Sequence, residues 1–531
     1  MSQRINRRHL VGGAAAAALS AHAARGVTGR AQRERTPDSI VIGALRDAKT
    51  INPFLTDEAE GDWRCKMLFD EFVRANPETY VPEPGLAAEW AIDDVTFTFK
   101  LQPDARFADG STVTADDVAF TIKGHLAKAT GSPRQVRFME IAGAEEFVDG
   151  TADDVSGIEV VDPATLRITL ARDDAAFLFN LRYVFVVPQA QLASKNLAND
   201  PWFDRPVGAG PFVINAWERG ANFIATKNPH YWQPNKPAIA YVVQTVLPDA
   251  DSLINALIDG AVDASNWPPM AAKERLDQDP RLSAFVAPFN APNGWMFNCA
   301  HEWLGKEEIR KAIATALDTR RFVDTALLGL SEPGNGPIAP SNWAYDPELA
   351  PIEHDVEAAR ELIVASSMPR GTKIRFMVNE ENAVRRDWLA FTETALADLG
   401  VEITPEVIPY EELLVRVTET RDYDACGVDF VGVTAEPSRL YDQFHTDSPG
   451  NYMNYSSGEL DVVLAEVREQ MDLEQARVAY KLIQTTIIDE VPAFFAWYRP
   501  RLHVVAHRFA NYTDSAAFGL FHILEDWTVE G

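Results

Sequence analysis

The groups able to do chemistry in this chain are carboxylates, histidines, cysteines and one glycine turn, and their spacing limits what each can do. Adjacent carboxylates occur at Asp116-Asp117, Asp153-Asp154 and Asp173-Asp174. General acid–base catalysis by such a pair requires environments that push the two pKa values apart. Each pair instead sits at a strand or helix boundary, where Asp caps a helix or closes a solvated turn. Ten histidines are scattered, none four residues from another on an obvious helix, and there is no HExxH, GxSxG or P-loop. Cys65, Cys299 and Cys426 are too few for a disulfide framework and too far apart for a zinc cluster; at most one bridge can form, leaving one thiol free, and unpaired buried thiols are the leading expectation. The turn Gly208-Ala-Gly210 runs directly into Pro211 and the apolar Phe212-Val-Ile214. A strand after the turn aims no helix N-terminus at a phosphate. A catalytic triad can be assembled from distant residues, so a secreted hydrolase is the alternative class. The leading expectation is a protein that is not an enzyme, with no cofactor and no metal.

The elements that would position a site alternate between strands and helices. Ser39-Ile-Val-Ile-Gly43 reads as a short strand, and in Val95 to Leu101 the residues Val95, Phe97, Phe99 and Leu101 share one face at period two. Leu166, Ile168 and Leu170 repeat that pattern after the Asp162-Pro163 turn. Thr114-Ala-Asp-Asp117 fits a capping box opening a helix to about Lys128. Helices are expected over Asp249–Ile258, Glu307–Leu317 and Arg385–Leu399, with Gly260 and Gly400 as stops. Such a mixture predicts α/β or α+β lobes.

The chain has 531 residues, 46% hydrophobic and 24% charged, enough for two or three lobes. Its formal charge of −29 repels nucleic acid and anionic lipid, and its even distribution reads as a solvated surface. The first 23 residues place Arg7-Arg8 before a short Gly/Ala-rich stretch ending in Ala21-His22-Ala23. That pattern predicts a twin-arginine export signal cleaved near Ala23, with residues 24–37 as a flexible lead-in. No Cys lies near the cut, so no lipid anchor is expected, and the mature protein is expected in the periplasm.

Several ordered segments carry a resemblance. They include Thr50-Ile-Asn-Pro-Phe54, Pro84-Gly-Leu-Ala-Ala-Glu-Trp90 and Arg106-Phe-Ala-Asp-Gly-Ser-Thr-Val-Thr-Ala-Asp-Asp-Val118. Val207-Gly-Ala-Gly-Pro-Phe212, Asn228-Pro-His-Tyr-Trp232, Ala256-Leu-Ile-Asp-Gly-Ala-Val-Asp263 and Leu396-Ala-Asp-Leu-Gly-Val-Glu-Ile403 follow in the same order. Together the chain resembles the family 5 extracytoplasmic solute-binding proteins of ABC importers, the dipeptide, oligopeptide and nickel receptors. The resemblance implies a two-lobed, three-domain periplasmic-binding-protein fold with a two-strand hinge. Domain I would comprise 38–75, 206–293 and 501–531, domain II 76–205, and domain III 294–500. The partners it implies are a small solute, peptide or peptide-like, and membrane permease subunits, with the receptor itself a monomer that binds no nucleic acid.

The same resemblance places six residues at the solute cleft. Trp295 and Trp267 would supply flat apolar walls, and Asp57 and Glu58 would accept from a cationic group. Arg385 or Arg386 would clamp a carboxylate. Peptide binders of the family carry an Asp four residues before an (Asp/Glu)-Pro pair to receive the α-ammonium. Here the pair is Glu436-Pro437 and that position is Val433, which cannot neutralise an ammonium. Either Asp429 or Glu436 substitutes, or the solute is a sugar, an opine-like acid or a chelated metal.

Overall fold

The computed structural model describes residues 36–430, 437–516 and 518–530. The export signal, most of the lead-in, and the Val433 and Glu436 positions lie outside the described residues. One ten-stranded mixed sheet organises the molecule. Its order is Val401–Ile408, Thr372–Asn379, Ala425–Asp429, Leu282–Phe297, Ala493–Ala506, Ala264–Ser265, Ser39–Ala44, Tyr241–Val246, Asn222–Lys227 and Phe212–Glu218. Ser39–Ala44 lies parallel to Tyr241–Val246 and is buried along its whole length, which is why it reads as an apolar run without alternation.

The two halves of this sheet belong to different lobes, and two strands carry the chain between them. Leu282–Pro288 pairs antiparallel with Ala506–Pro500, the register breaks, and pairing resumes from Pro292 opposite Tyr498 to Met296 opposite Ala493. A second shift falls between Asn293 and Gly294. There the backbones come so close that a Cβ on Gly294 would lie 1.7 Å from the Phe494 carbonyl oxygen. Bulges of this kind bend and twist a strand pair, so the strands change course where they cross between the lobes.

A separate antiparallel sheet, in the order Ala87–Asp93, Thr96–Leu101, Thr165–Thr169 and Ile158–Asp162, is inserted between the first strand and the Phe212 strand. Phe97, Phe99 and Leu101 face its core as their period-two spacing demands, beside Leu166 and Ile168. Val95 precedes the strand and is only partly buried. The helix Ala115–Leu126 covers this core, and the Asp117 carboxylate accepts at 2.9 Å from both the Thr114 amide and hydroxyl. Gly208 and Gly210 close against the end of the helix Ala59–Phe69. A Cβ would lie 2.1 Å from the Leu68 carbonyl at the first and 2.4 Å from the Met67 carbonyl at the second. That turn is built for close backbone packing.

The helices Ala250–Ile258, Glu307–Ala316 and Ala383–Ala397 stand where hydrophobic spacing puts them. Gly260 and Gly400 take positive φ just beyond the first and third of these. The three cysteines are unpaired, Cys65 and Cys426 buried and Cys299 half-buried. Among the described residues no helix is long and apolar enough to cross a membrane.

Candidate functional site

The chemistry at the strand crossing begins with Arg499, on the strand that links the lobes. Its guanidinium carbon stands 5.2 Å from the Trp267 ring centroid, and Arg501, two residues on and so on the same strand face, stands 5.4 Å from it. Both contacts are cation–π interactions with a half-buried indole. Arg499 also reaches Asp429 at 3.7 Å, and Arg385 meets the same carboxylate at 3.0 Å. Arg385 then donates to the Asn379 side-chain oxygen at 2.8 Å. A polar chain thus runs from Trp267 in one lobe through Arg499 to Asp429 and Arg385 in the other.

Behind it Arg501 is almost fully buried, donating to Asp514 at 3.0 Å and to the Ser515 carbonyl at 2.7 Å. Burial pulls the Arg501 guanidinium below its ordinary value despite Asp514. His503 sits 2.7 Å from the same carboxylate, and burial holds its imidazole toward the neutral form. This Asp–His pair anchors the chain's C-terminal segment against the crossing strand.

The six residues implied by the family resemblance take different positions. Trp267 lies at the crossing, and Arg385 is joined to it through Asp429 and Arg499. Trp295 does not face a cleft: it is 0% exposed, its indole N–H donates to the Thr392 hydroxyl at 3.0 Å, and its ring packs edge-on to Phe376 at 4.6 Å. Its strand is central in the sheet with helices over that face, so the large ring is a core element. Glu58 is the N-cap of Ala59–Phe69, accepting from the Gly61 amide at 3.1 Å and the Lys49 amide at 2.9 Å. Asp57 is exposed beside it. Arg386 is exposed and donates to the Glu380 carbonyl, while its neighbour Arg385 turns inward. Asp429, considered as a substitute amine anchor, already faces two guanidiniums through Oδ2, while its Oδ1 is buried without a hydrogen-bond partner. Sequence reasoning missed Arg499: Arg499-Pro-Arg501 within a largely apolar strand carries no motif, and only the crossing explains it.

Away from the crossing the lobes also meet elsewhere. The Ala175 amide donates to the Arg468 carbonyl at 2.8 Å, beside a cavity of about 190 Å³ lined by Arg172, Asp174, Tyr441 and Arg468. Burial raises the Asp174 carboxyl to about 6, with Glu140 adding to the shift and Arg468 and Arg172 opposing it. A carboxyl raised on burial favours the packed arrangement when protonated, and that advantage is lost as pH rises through about 6. Stability is therefore expected to fall between about pH 4 and pH 6 through this group, and to level off above that. Asp174→Asn should flatten that part of the profile in thermal melts, and an unchanged slope would remove Asp174 as its source.

The comparisons with known proteins agree with this architecture. The chain matches the family of bacterial extracellular solute-binding proteins, family 5, over residues 81–452. It belongs to that family. Its members are solute receptors, and so is this chain. It is 25% identical to the probable D,D-dipeptide-binding periplasmic protein DdpA of Escherichia coli K12, across 85% of this chain and 87% of that protein. The fold is similar to that of the substrate-binding protein CtaP of Listeria monocytogenes, with a TM-score of 0.82, 20% identity, and coverage of 93% of this chain and 99% of that one. It is also similar to the unliganded open form of the periplasmic murein tripeptide-binding protein MppA, with a TM-score of 0.81 at 19% identity, covering 93% and 97%. Among the described residues no group of three or more His, Cys, Asp or Glu side chains is placed to hold a metal ion.

Proposed function

We propose that this receptor serves an ABC importer, capturing a peptide or peptide-like organic solute between its lobes and passing it unaltered to membrane permease subunits. The observation carrying this reading is the pair of strands that joins the two halves of the large sheet, with the register break at the crossing. A receptor of this build works by hinge motion around its guest. In this proposal the chain divides into 38–75, 206–293 and 501–531, then 76–205, then 294–500, a division that the order of strands in the large sheet supports. Export by the twin-arginine route, freedom from a lipid anchor and a monomeric state in the periplasm complete the proposal.

Within the cleft Trp267 is the residue we assign to solute contact, its ring backed by Arg499 and Arg501. Peptide-binding relatives such as the DdpA protein favour a peptide. One observation favours a non-peptide solute: Asp429 is shared by Arg385 and Arg499, and Val433 brings no charge. The one carboxylate of that set already answers two guanidiniums through Oδ2, and an ammonium would have to compete with them for it. An oligosaccharide, an opine-like acid or a metal chelate needs no such carboxylate.

The test is mass spectrometry of small molecules released from the purified mature protein, paired with small-angle scattering before and after their return. An intact organic solute and a smaller radius of gyration on rebinding are expected. Chemical conversion of the solute, or binding without any compaction, would count against a hinged receptor.

A further inference from the structure

Three guanidiniums converge on one aromatic ring where the inserted domain faces the other lobe. The guanidinium carbons of Arg134, Arg137 and Arg182 lie 4.4, 4.4 and 4.7 Å from the centroid of Tyr183. Arg134 is 4% exposed and Arg182 9%. Arg182 also lies over Phe518 at 3.8 Å, which covers it from the C-terminal segment. Like charges gathered away from water repel strongly unless anions answer them.

The answering carboxylates fall one short. In the adjoining network Arg74 pairs with Asp70 at 2.7 Å and Glu525 at 3.2 Å, and Lys66 lies 3.6 Å from Glu71 and 3.9 Å from Glu525. Arg182 takes the other oxygen of Glu71 at 3.3 Å, and Arg134 pairs with Asp62. Five cations thus meet four carboxylates, and Arg137 is the remainder. It donates to the Asn180 side-chain oxygen at 3.0 Å and has no carboxylate in ion-pair range among the described residues. Burial lowers the Arg137 guanidinium below its usual value, and Arg439 of the facing lobe, Arg134 and Arg182 press it further down. Burial acts to raise the Tyr183 phenol, yet the surrounding arginines outweigh it and the net shift is downward. Two donors, Nη1 of Arg134 and Nε of Arg182, are enclosed without a hydrogen-bond partner.

We propose that this arginine–tyrosine cluster is an oxyanion subsite, and that the captured solute carries a carboxylate or phosphate group that binds there. A planar guanidinium matches either group with two parallel hydrogen bonds. Arg439 across the cleft adds positive charge to the same anion as the lobes approach, so seating the anion offsets a repulsion that otherwise opposes closure. The inference rests on the receptor reading and deepens it by fixing the charge of the solute.

Calorimetry on the ligand-stripped full-length mature protein tests it with four probes: trialanine, trialanine amide, succinate and inorganic phosphate. The expected result is binding of at least one oxyanion probe, with trialanine, if it binds, preferred over its amide by roughly tenfold or more. Binding of phosphate but not succinate or trialanine assigns the group as phosphate, and the reverse assigns it as carboxylate. Arg137→Gln should remove that preference while leaving affinity for the amide and circular dichroism unchanged. Its melting temperature without solute should stay level or rise, because an uncompensated charge is gone, whereas a structural role would lower it. Equal binding of trialanine and its amide, or retained preference in the variant, overturns the subsite and leaves the receptor reading standing. Binding by none of the four overturns the subsite too, and the receptor reading then stands or falls on the released solute alone.

Discussion

Trp295→Ala is expected to destabilise the protein by about 3–5 kcal/mol, the range for deleting a large buried aromatic. The ring is wholly enclosed, packs 4.6 Å edge-on from Phe376 and stacks 6.3 Å from Trp388, so its removal leaves a cavity that a central strand cannot collapse to fill. The Thr392 hydroxyl also loses its indole donor at 3.0 Å. Trp295→Phe keeps most of the volume and should cost less, about 1–3 kcal/mol. Denaturant melts of both variants read this directly. A Trp295→Ala protein of wild-type stability with lost solute affinity would return the ring to the cleft and reverse the assignment.

Arg385→Ala is expected to cost about 2–4 kcal/mol, because it strips Asp429 of its nearest cation. The Asp429 side chain retains 22% exposure and Arg499 remains at 3.7 Å, so the cost should fall short of that for a fully orphaned buried charge. Adding Asp429→Ala in the Arg385→Ala background should recover part of the loss, a coupling that a double-mutant cycle measures. If Arg385 held solute instead, the single variant would lose affinity with its melting temperature intact.

These two expectations show where reading the residues succeeded and where it could not. Alternation in Thr96–Leu101 and helical spacing in Glu307–Ala316 mark which side of each element is apolar, and burial follows that side because exposed apolar area is costly. The Thr114–Asp117 cap and the Gly260 and Gly400 stops are local events, settled within a few residues by backbone geometry. Trp295 is different. Its strand is apolar on both faces, so nothing within it says which face meets solvent, and the helix Ala383–Ala397 decides the matter by packing Trp388 nearby. Glu58 looked like a free acid because the helix it caps opens with Ala59-Glu-Gly-Asp62, with no apolar run straight after the cap.

By itself the amino-acid order determined the mixed α/β class, the acidic non-catalytic character, the family and the elements' inner faces. These depend on composition and on contacts between near neighbours. Tertiary structure alone decided that Arg499 meets Trp267 and Asp429, that Asp429 answers two guanidiniums, and that Arg137 is left over among paired cations. The partners in these contacts lie tens to hundreds of positions apart or face one another across a lobe boundary. Charge balance at such distances has no local signature; it exists only once the chain has closed on itself.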